Sequence, residues 1–267
     1  MNRTGKLRSM RRFVTQTGLV LGVLVLAACA IGPPNRMEDY LGAGGGRQTA
    51  TLPMQALRAG LVVIPDNAAP DAAPVLPEEA VPRLAERLAQ EISRIMPVHI
   101  EKLIPAEGLR PVSGGDPEQF VRLGRQHGVD YLIVVVASAT EQEYPYTVFV
   151  GWHSHSVPGL RRDNWSLLEA AIVEVETGQT LVVAEGRGWA TLDRPTVPDI
   201  SQWYPVIWLR PQDPNRPIWP PTYEGAPYTL RVVATNDASK QMVLHLRQAW
   251  TDKRAATSPP PEVHASR

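Results

Sequence analysis

The chain holds one cysteine, and where it stands decides what the fold can rely on. Residues 1–12 carry five basic side chains (Arg3, Lys6, Arg8, Arg11, Arg12) and no acidic one. Phe13 to Leu26 is an apolar run, densest in GLVLGVLVL from Gly18 to Leu26. A basic stretch followed by a short apolar one is the layout of an export signal, and this run is too short to cross a bilayer as a helix. It ends in Leu26-Ala27-Ala28-Cys29, the pattern of a lipobox. The small pair fits a narrow protease subsite, and only a thiol can take thioether-linked diacylglycerol. The expectation is therefore a signal peptide over 1–28 and a mature chain beginning at Cys29. That residue would carry covalent diacylglycerol and an N-acyl chain such as palmitate. Met10 is a plausible true start, since MRRFVTQTGL opens a signal of ordinary length, and Arg11-Arg12 lacks the flanks of a twin-arginine signal. A lipidated cysteine leaves no disulfide partner, so the body must be stabilised by burial alone.

Processing also changes the charge. The chain has 27 basic and 27 acidic residues, and loss of the signal removes five basic ones, leaving 22 against 27. A mildly acidic body argues against nucleic acid as a partner and offers no polybasic patch for anionic lipid. Ala30 stands where an aspartate is associated with inner-membrane retention. This favours the outer membrane in a two-membrane cell, with the body facing the periplasm.

The segment 29–56 shows no apolar periodicity. Pro33-Pro34 and Gly44–Gly46 mark it as a lipidated N-terminus and flexible tether. The folded domain is expected over 57–252. Gly60 to Pro65 (GLVVIP) is a short buried strand, and 66–77 is an Ala/Pro/Asp-rich loop. A helix from about Glu78 to Met96 places Val81, Leu84, Leu88, Ile92, Ile95 and Met96 on one face. Val98 to Ile104 alternates as a half-buried strand. Asp116-Pro117 opens a helix that Gly128 closes, and Tyr131–Ala137 (YLIVVVA) is a central strand. Leu167–Val175 and Thr180–Ala190 flank Glu176-Thr177-Gly178-Gln179 as a hairpin. Residues 193–228 break the pattern, holding nine of the 26 prolines and six of the 17 aromatic residues. A helix from Asn236 to Lys253 turns Ala238, Met242, Leu246, Ala249 and Trp250 inward, and 253–267 reads as a disordered tail. The β-α-β-α-β-β-β-α order predicts an α/β fold: a single two-layer domain with a mixed sheet and a Pro/aromatic-rich insertion.

GLVVIP, the helix after it, HGVDYLIVV and the hairpin through VEVETGQTL together resemble a family of periplasmic lipoproteins. These have a TolB N-terminal-like (anticodon-binding-like) α/β domain, and include activators of penicillin-binding proteins and the curli secretion lipoprotein. The most telling matches are Gly128-Val129-Asp130-Tyr131 and Glu176-Thr177-Gly178, and the likeness spans about residues 57–190 plus the last helix. The resemblance implies a non-enzymatic part in envelope assembly, through contact with envelope proteins or self-association. It transfers no partner-contact residue.

The residues themselves offer two candidate sites. Trp203, Tyr204, Trp208, Trp219 and Tyr223 lie in the Pro/aromatic segment. Trp and Tyr dominate binding hot spots, and proline lowers the cost of ordering on docking. The competing reading is a long loop folded over the sheet. The loop from Glu143 to Trp165 is likewise aromatic and could lie beside it. His153 and His155 would share a face if they lie on a strand, which raises the alternative of a metal-dependent envelope hydrolase. Zinc would need a third and fourth ligand, for which Asp163, His127 and His99 are candidates by residue type alone, and there is no G-x-S-x-G elbow, P-loop lysine or dinucleotide fingerprint. No catalytic residue and no cofactor beyond the lipid is expected. The preferred function is a lipid-anchored, non-enzymatic binding, scaffold or assembly factor, with an oligomeric secretion component as a further alternative.

Overall fold

The structure is a computed structural model describing residues 32–43, 52–67, 72–73, 76, 78–149, 156–196, 205–213 and 216–257. The chain divides into two units, Met1–Gly32 and Pro33–Arg267, and the second contains the fold. Its elements in chain order are α1 (Met37–Leu41), β1 (Leu57–Pro65), α2 (Val81–Ile95), β2 (Val98–Ile104), α3 (Pro117–His127) and β3 (Tyr131–Phe149). They continue through β4 (Ser156–Glu174), β5 (Thr180–Pro195), β6 (Val206–Leu209) and α4 (Ala226–Thr257). A single 3-10 turn, Glu78–Ala80, leads into α2. Among the described residues, no helix is long and apolar enough to cross a membrane.

The strands form one six-stranded mixed sheet in the order β2-β1-β3-β4-β5-β6. The fold is therefore α/β. β1 runs parallel to both β2 and β3, while β3, β4, β5 and β6 pair antiparallel. The segment YLIVVVA explains the centre. Leu132 to Ala137 are all buried, which a strand achieves only with both of its faces covered.

That burial corrects the two-layer expectation. On one face Leu84, Leu88 and Ile92 of α2 and Met242, Leu246 and Trp250 of α4 pack on Ile133, Val135 and Ala137. On the other, Met37, Tyr40 and Leu41 of α1 and Phe120 of α3 pack on Leu132, Val134 and Val136. The central strands are thus the middle of three layers. A continuous apolar run, unlike an alternating one, has no solvent face.

Three further expectations change. Residues 37–41, read as tether, form a helix whose Met37, Tyr40 and Leu41 are buried, so the body begins before Leu57. Glu143 to Trp165, read as a loop, is mostly the outer end of the 19-residue strands β3 and β4, paired from Tyr131–Glu174 to Phe149–Ser156. The 193–228 segment contributes the end of β5, all of β6 and the first turn of α4.

α4 spans 32 residues, roughly 48 Å. Its buried residues Leu230, Ala234, Ala238, Met242, Leu246 and Trp250 make one stripe along the sheet. Near the strand ends, Ala226, Leu230 and Ala234 pack on Ala190, Leu192 and Ile207. Gly128 takes φ +63° at the end of α3 and Gly178 takes φ +71° in the β4–β5 turn, conformations that cost glycine little.

Candidate functional site

The outer half of the sheet has two unlike faces. One is closed by α4, and Arg231 there makes a two-pronged bond to Glu141 (2.7 and 3.0 Å). The other carries no helix among the described residues, and its side chains stand in rows set by strand pairing. Since side chains of paired residues share a face, the rows are Glu169–Glu185, Leu167–Arg187, Trp165–Trp189, Asp163–Thr191 and Arg161–Asp193. β3 adds Tyr144 opposite Arg161, and β6 adds Trp208 opposite Thr191.

The middle of this ladder is an aromatic and arginine cluster. Trp165 and Trp189 stack with ring centroids 5.9 Å apart at 24°. Trp189 keeps 41 % of its surface exposed. The Arg210 guanidinium lies 5.6 Å from the Trp189 ring centre, and that of Arg161 lies 3.6 Å from the ring centre of Tyr146. Tyr146 is itself 44 % exposed and meets Tyr144 edge-on.

Two carboxylates hold the cluster in place. Asp193 takes a two-pronged bond from Arg161 (2.6 and 2.7 Å). Asp163, buried, accepts the Tyr144 hydroxyl at 2.7 Å and the Trp189 indole N–H at 3.4 Å. Burial, with the bond to Asp163, pushes the Tyr144 hydroxyl up to about 12. Tyr144 is thus a fixed donor at neutral pH. Arg161 is buried at some cost to its charge, but the bond to Asp193 outweighs that and its pKa rises. Arg210 goes the other way: burial and the nearby Arg161 charge lower its pKa. Its Nη1 donates to Gln212 at 2.7 Å, while its buried Nε finds no partner among the described residues. The site therefore offers flat rings and guanidinium donors, the chemistry of binding.

The same ladder anchors the N-terminal segment one and two rows further in. Buried Glu169 accepts the backbone N–H of Arg36 (2.6 Å) and of Met37 (3.2 Å) through Oε2. Burial pushes this carboxyl up to about 7, against the two N–H bonds that favour its charge. Arg36 bonds the buried Asp66 at 2.8 Å. Asn35 donates to Glu185 at 2.6 Å and accepts from Arg187 at 2.6 Å. Arg187 also reaches the carbonyl of Pro33 at 3.5 Å.

The residues named from the sequence scatter. Cys29, His153, His155, Trp203 and Tyr204 lie outside the described residues. Trp208 is on β6, partly buried, in the aromatic face. Trp219 and Tyr223 are 48 % and 44 % exposed, beyond β6 and next to the start of α4. Among the described residues, no group of three or more His, Cys, Asp or Glu could hold a metal ion. A separate cleft of about 750 Å³ opens at the carboxyl ends of β1 and β2, with Tyr40, Ile64, Asp66, Val81 and Leu103 on its walls.

No family model matches the sequence, and no curated protein does. Several solved structures are distantly alike. The PelC dodecamer from Paraburkholderia phytofirmans matches at 10 % identity and a TM-score of 0.27, over 72 % of this chain and 92 % of that one. A protein described as a neuraminyllactose-binding hemagglutinin homolog from Helicobacter pylori matches at 10 % and 0.35, over 76 % and 90 %. The hypothetical protein CT253 from Chlamydia trachomatis matches at 9 % and 0.36, over 73 % and 97 %. None of the three is described as a TolB-like or penicillin-binding-protein activator lipoprotein.

Proposed function

We propose that the protein is an envelope lipoprotein, anchored through lipid on Cys29 to the periplasmic face of the outer membrane, and a non-enzymatic binding, scaffold or assembly factor. The observation that carries this is the run from the basic residues 3–12 through the apolar 13–26 to Leu26-Ala27-Ala28-Cys29. The reading includes a TolB-like domain in which β1, α2, β2, α3, β3, β4, β5 and α4 supply the β-α-β-α-β-β-β-α order, with α1 and β6 as additions and the Pro/aromatic segment around β6. A body without a disulfide and a surface offering rings and guanidinium groups are consistent with it.

The anchor is tested by metabolic labelling with palmitate. The wild-type chain is expected to take up label and sediment with membranes, and Cys29→Ser to lose both. A Cys29→Ser chain that still takes up palmitate would overturn the reading.

Within it, Trp219 and Tyr223 are the exposed protein-contact residues. Replacing both with Ser is expected to lower capture of native partners roughly five-fold, the loss of about 1 kcal/mol typical of one modest hot spot. The thermal midpoint should stay put, because neither ring is buried. Equal capture by the variant would show that these rings are not the contact.

A further inference from the structure

We infer that the aromatic and arginine face rests on the phospholipid surface of the membrane, with Trp189, Trp165 and Tyr146 at headgroup depth. The inference builds on lipidation at Cys29, and it follows from where the chain arrives on the folded body.

The ladder gives the place. Arg36 and Met37 are held over the Glu169–Glu185 row, and Asn35 is held by Glu185 of that row and by Arg187 of the next, which also reaches the Pro33 carbonyl. The next row out is Trp165–Trp189. The segment leading back to Cys29 is therefore tied down on this face, one to two rows from the stacked indoles, where a free tether over 29–56 would have left the body far from the bilayer. Only three residues lie between Cys29 and Pro33, so the two are at most about 14 Å apart along extended chain. Successive same-face residues of a strand are about 6.6 Å apart, so the rows from Arg187 to Arg161 cover roughly 20 Å. The chain thus allows the cysteine to lie no further than about 14 Å from Pro33, which is shorter than the span of the rows.

The chemistry of the face fits that surface. Trp and Tyr favour the membrane interface because they combine an apolar body with a polar edge. Trp189 and Tyr146 are exposed, and Tyr144 is anchored through its hydroxyl. Arg210 carries a guanidinium that no carboxylate is seen to bond, a ready donor to lipid phosphate. The opposite face has no comparable freedom, because α4 covers it.

The test uses the full lipidated protein in vesicles of phosphatidylethanolamine and phosphatidylglycerol with brominated acyl chains, which quench nearby tryptophan. Quenchable emission is expected to fall roughly two-fold in the Trp165→Phe/Trp189→Phe double variant and to be unchanged in Trp219→Phe. Tyr146→Trp should add quenchable emission, a gain that no folding defect mimics. If the protein floats with the vesicles but neither change appears, the membrane-contact inference fails and the lipoprotein reading stands. If it does not float at all, the anchor reading fails and this inference falls with it.

Discussion

Gly188→Ala is expected to destabilise the protein by about 3 kcal/mol or more, toward the upper end for overpacking a filled interior. A Cβ at Gly188 would sit 2.1 Å from the carbonyl oxygen of Ala234 and 2.7 Å from the amide nitrogen of Ala238. At Gly186 it would meet the Ala238 oxygen and the Met242 nitrogen, both at 2.2 Å. These atoms belong to the backbone of α4, so no rotamer change relieves the clash and the helix itself must lift. Lifting it would open the packing of Ala238, Met242 and Leu246 on the sheet, and would strain the buried Ser166–Thr235 hydroxyl contact at 3.3 Å. Urea unfolding followed by tryptophan fluorescence should show a lower midpoint for either variant. Adding Ala234→Gly should not rescue Gly188→Ala, because the atom in the way is the carbonyl oxygen and not the methyl group. A rescue, or a loss below about 1 kcal/mol, would mean the helix lies further from β5 than described here.

The sequence carried the inner half of this fold better than the outer half, for reasons visible in single residues. GLVVIP and YLIVVVA are long enough and apolar enough to declare buried strands. The stripe at Ala238, Met242, Leu246 and Trp250 declares a helix by its spacing. α1 has five residues, too few for a period to show. The outer ends of β3 and β4 were hidden by Pro145 and Pro158 and by charges that look like solvent residues. In the sheet these charges pair with one another: Arg161 with Asp193, Arg162 and Arg194 with Glu143. The overlooked signal was in VVAEGRGWA, where Ala184, Gly186, Gly188 and Ala190 fall at every second position. A strand with only small residues on one face is asking for something to lie close against it.

The aromatic site was less legible still, because it depends on one bulge. Counting back from the β4–β5 turn, Val173 pairs with Thr180, which would set Trp165 opposite Gly188. The register shifts between Ile172 and Val173, so Ile172 pairs with Val182 and Trp165 meets Trp189. A slip of one residue turns every side chain to the other face. Were the pairing regular through Leu181, Trp189 would point at α4 and the stack would not exist. A bulge of this kind leaves little trace in composition. The same ladder, by contrast, shows why residues 33–37 of the supposed tether are held on the body: their partners Glu169, Glu185 and Arg187 are 132 to 154 residues away in sequence.

Stability should fall as pH rises from about 4.5 to about 7, and Glu169 should be the main cause. Its carboxyl is raised from 4.5 to about 7, chiefly by burial, with the neighbouring Glu185 charge adding to the shift. Between those values the folded protein holds a proton that the unfolded chain has released. By linkage, stability then declines with pH, and the decline is complete once pH passes the folded value. A rise from 4.5 to about 7 corresponds to about 3 kcal/mol. The N–H groups of Arg36 and Met37 remain bonded to Oε2 in the charged form, so the segment 33–37 is strained by burial rather than cut loose. Glu169→Gln keeps an acceptor oxygen for the same N–H groups and cannot ionise. Its thermal midpoint should therefore be nearly flat from pH 5 to 8, while the wild-type midpoint drops, and the two should converge at about pH 4.5. The protection of Met37 to Leu41 against hydrogen exchange, taken relative to the intrinsic rate at each pH, should fall over the same window in the wild type only, placing the loss at the N-terminal segment. Parallel curves for the two proteins would show that Glu169 is not the titrating group.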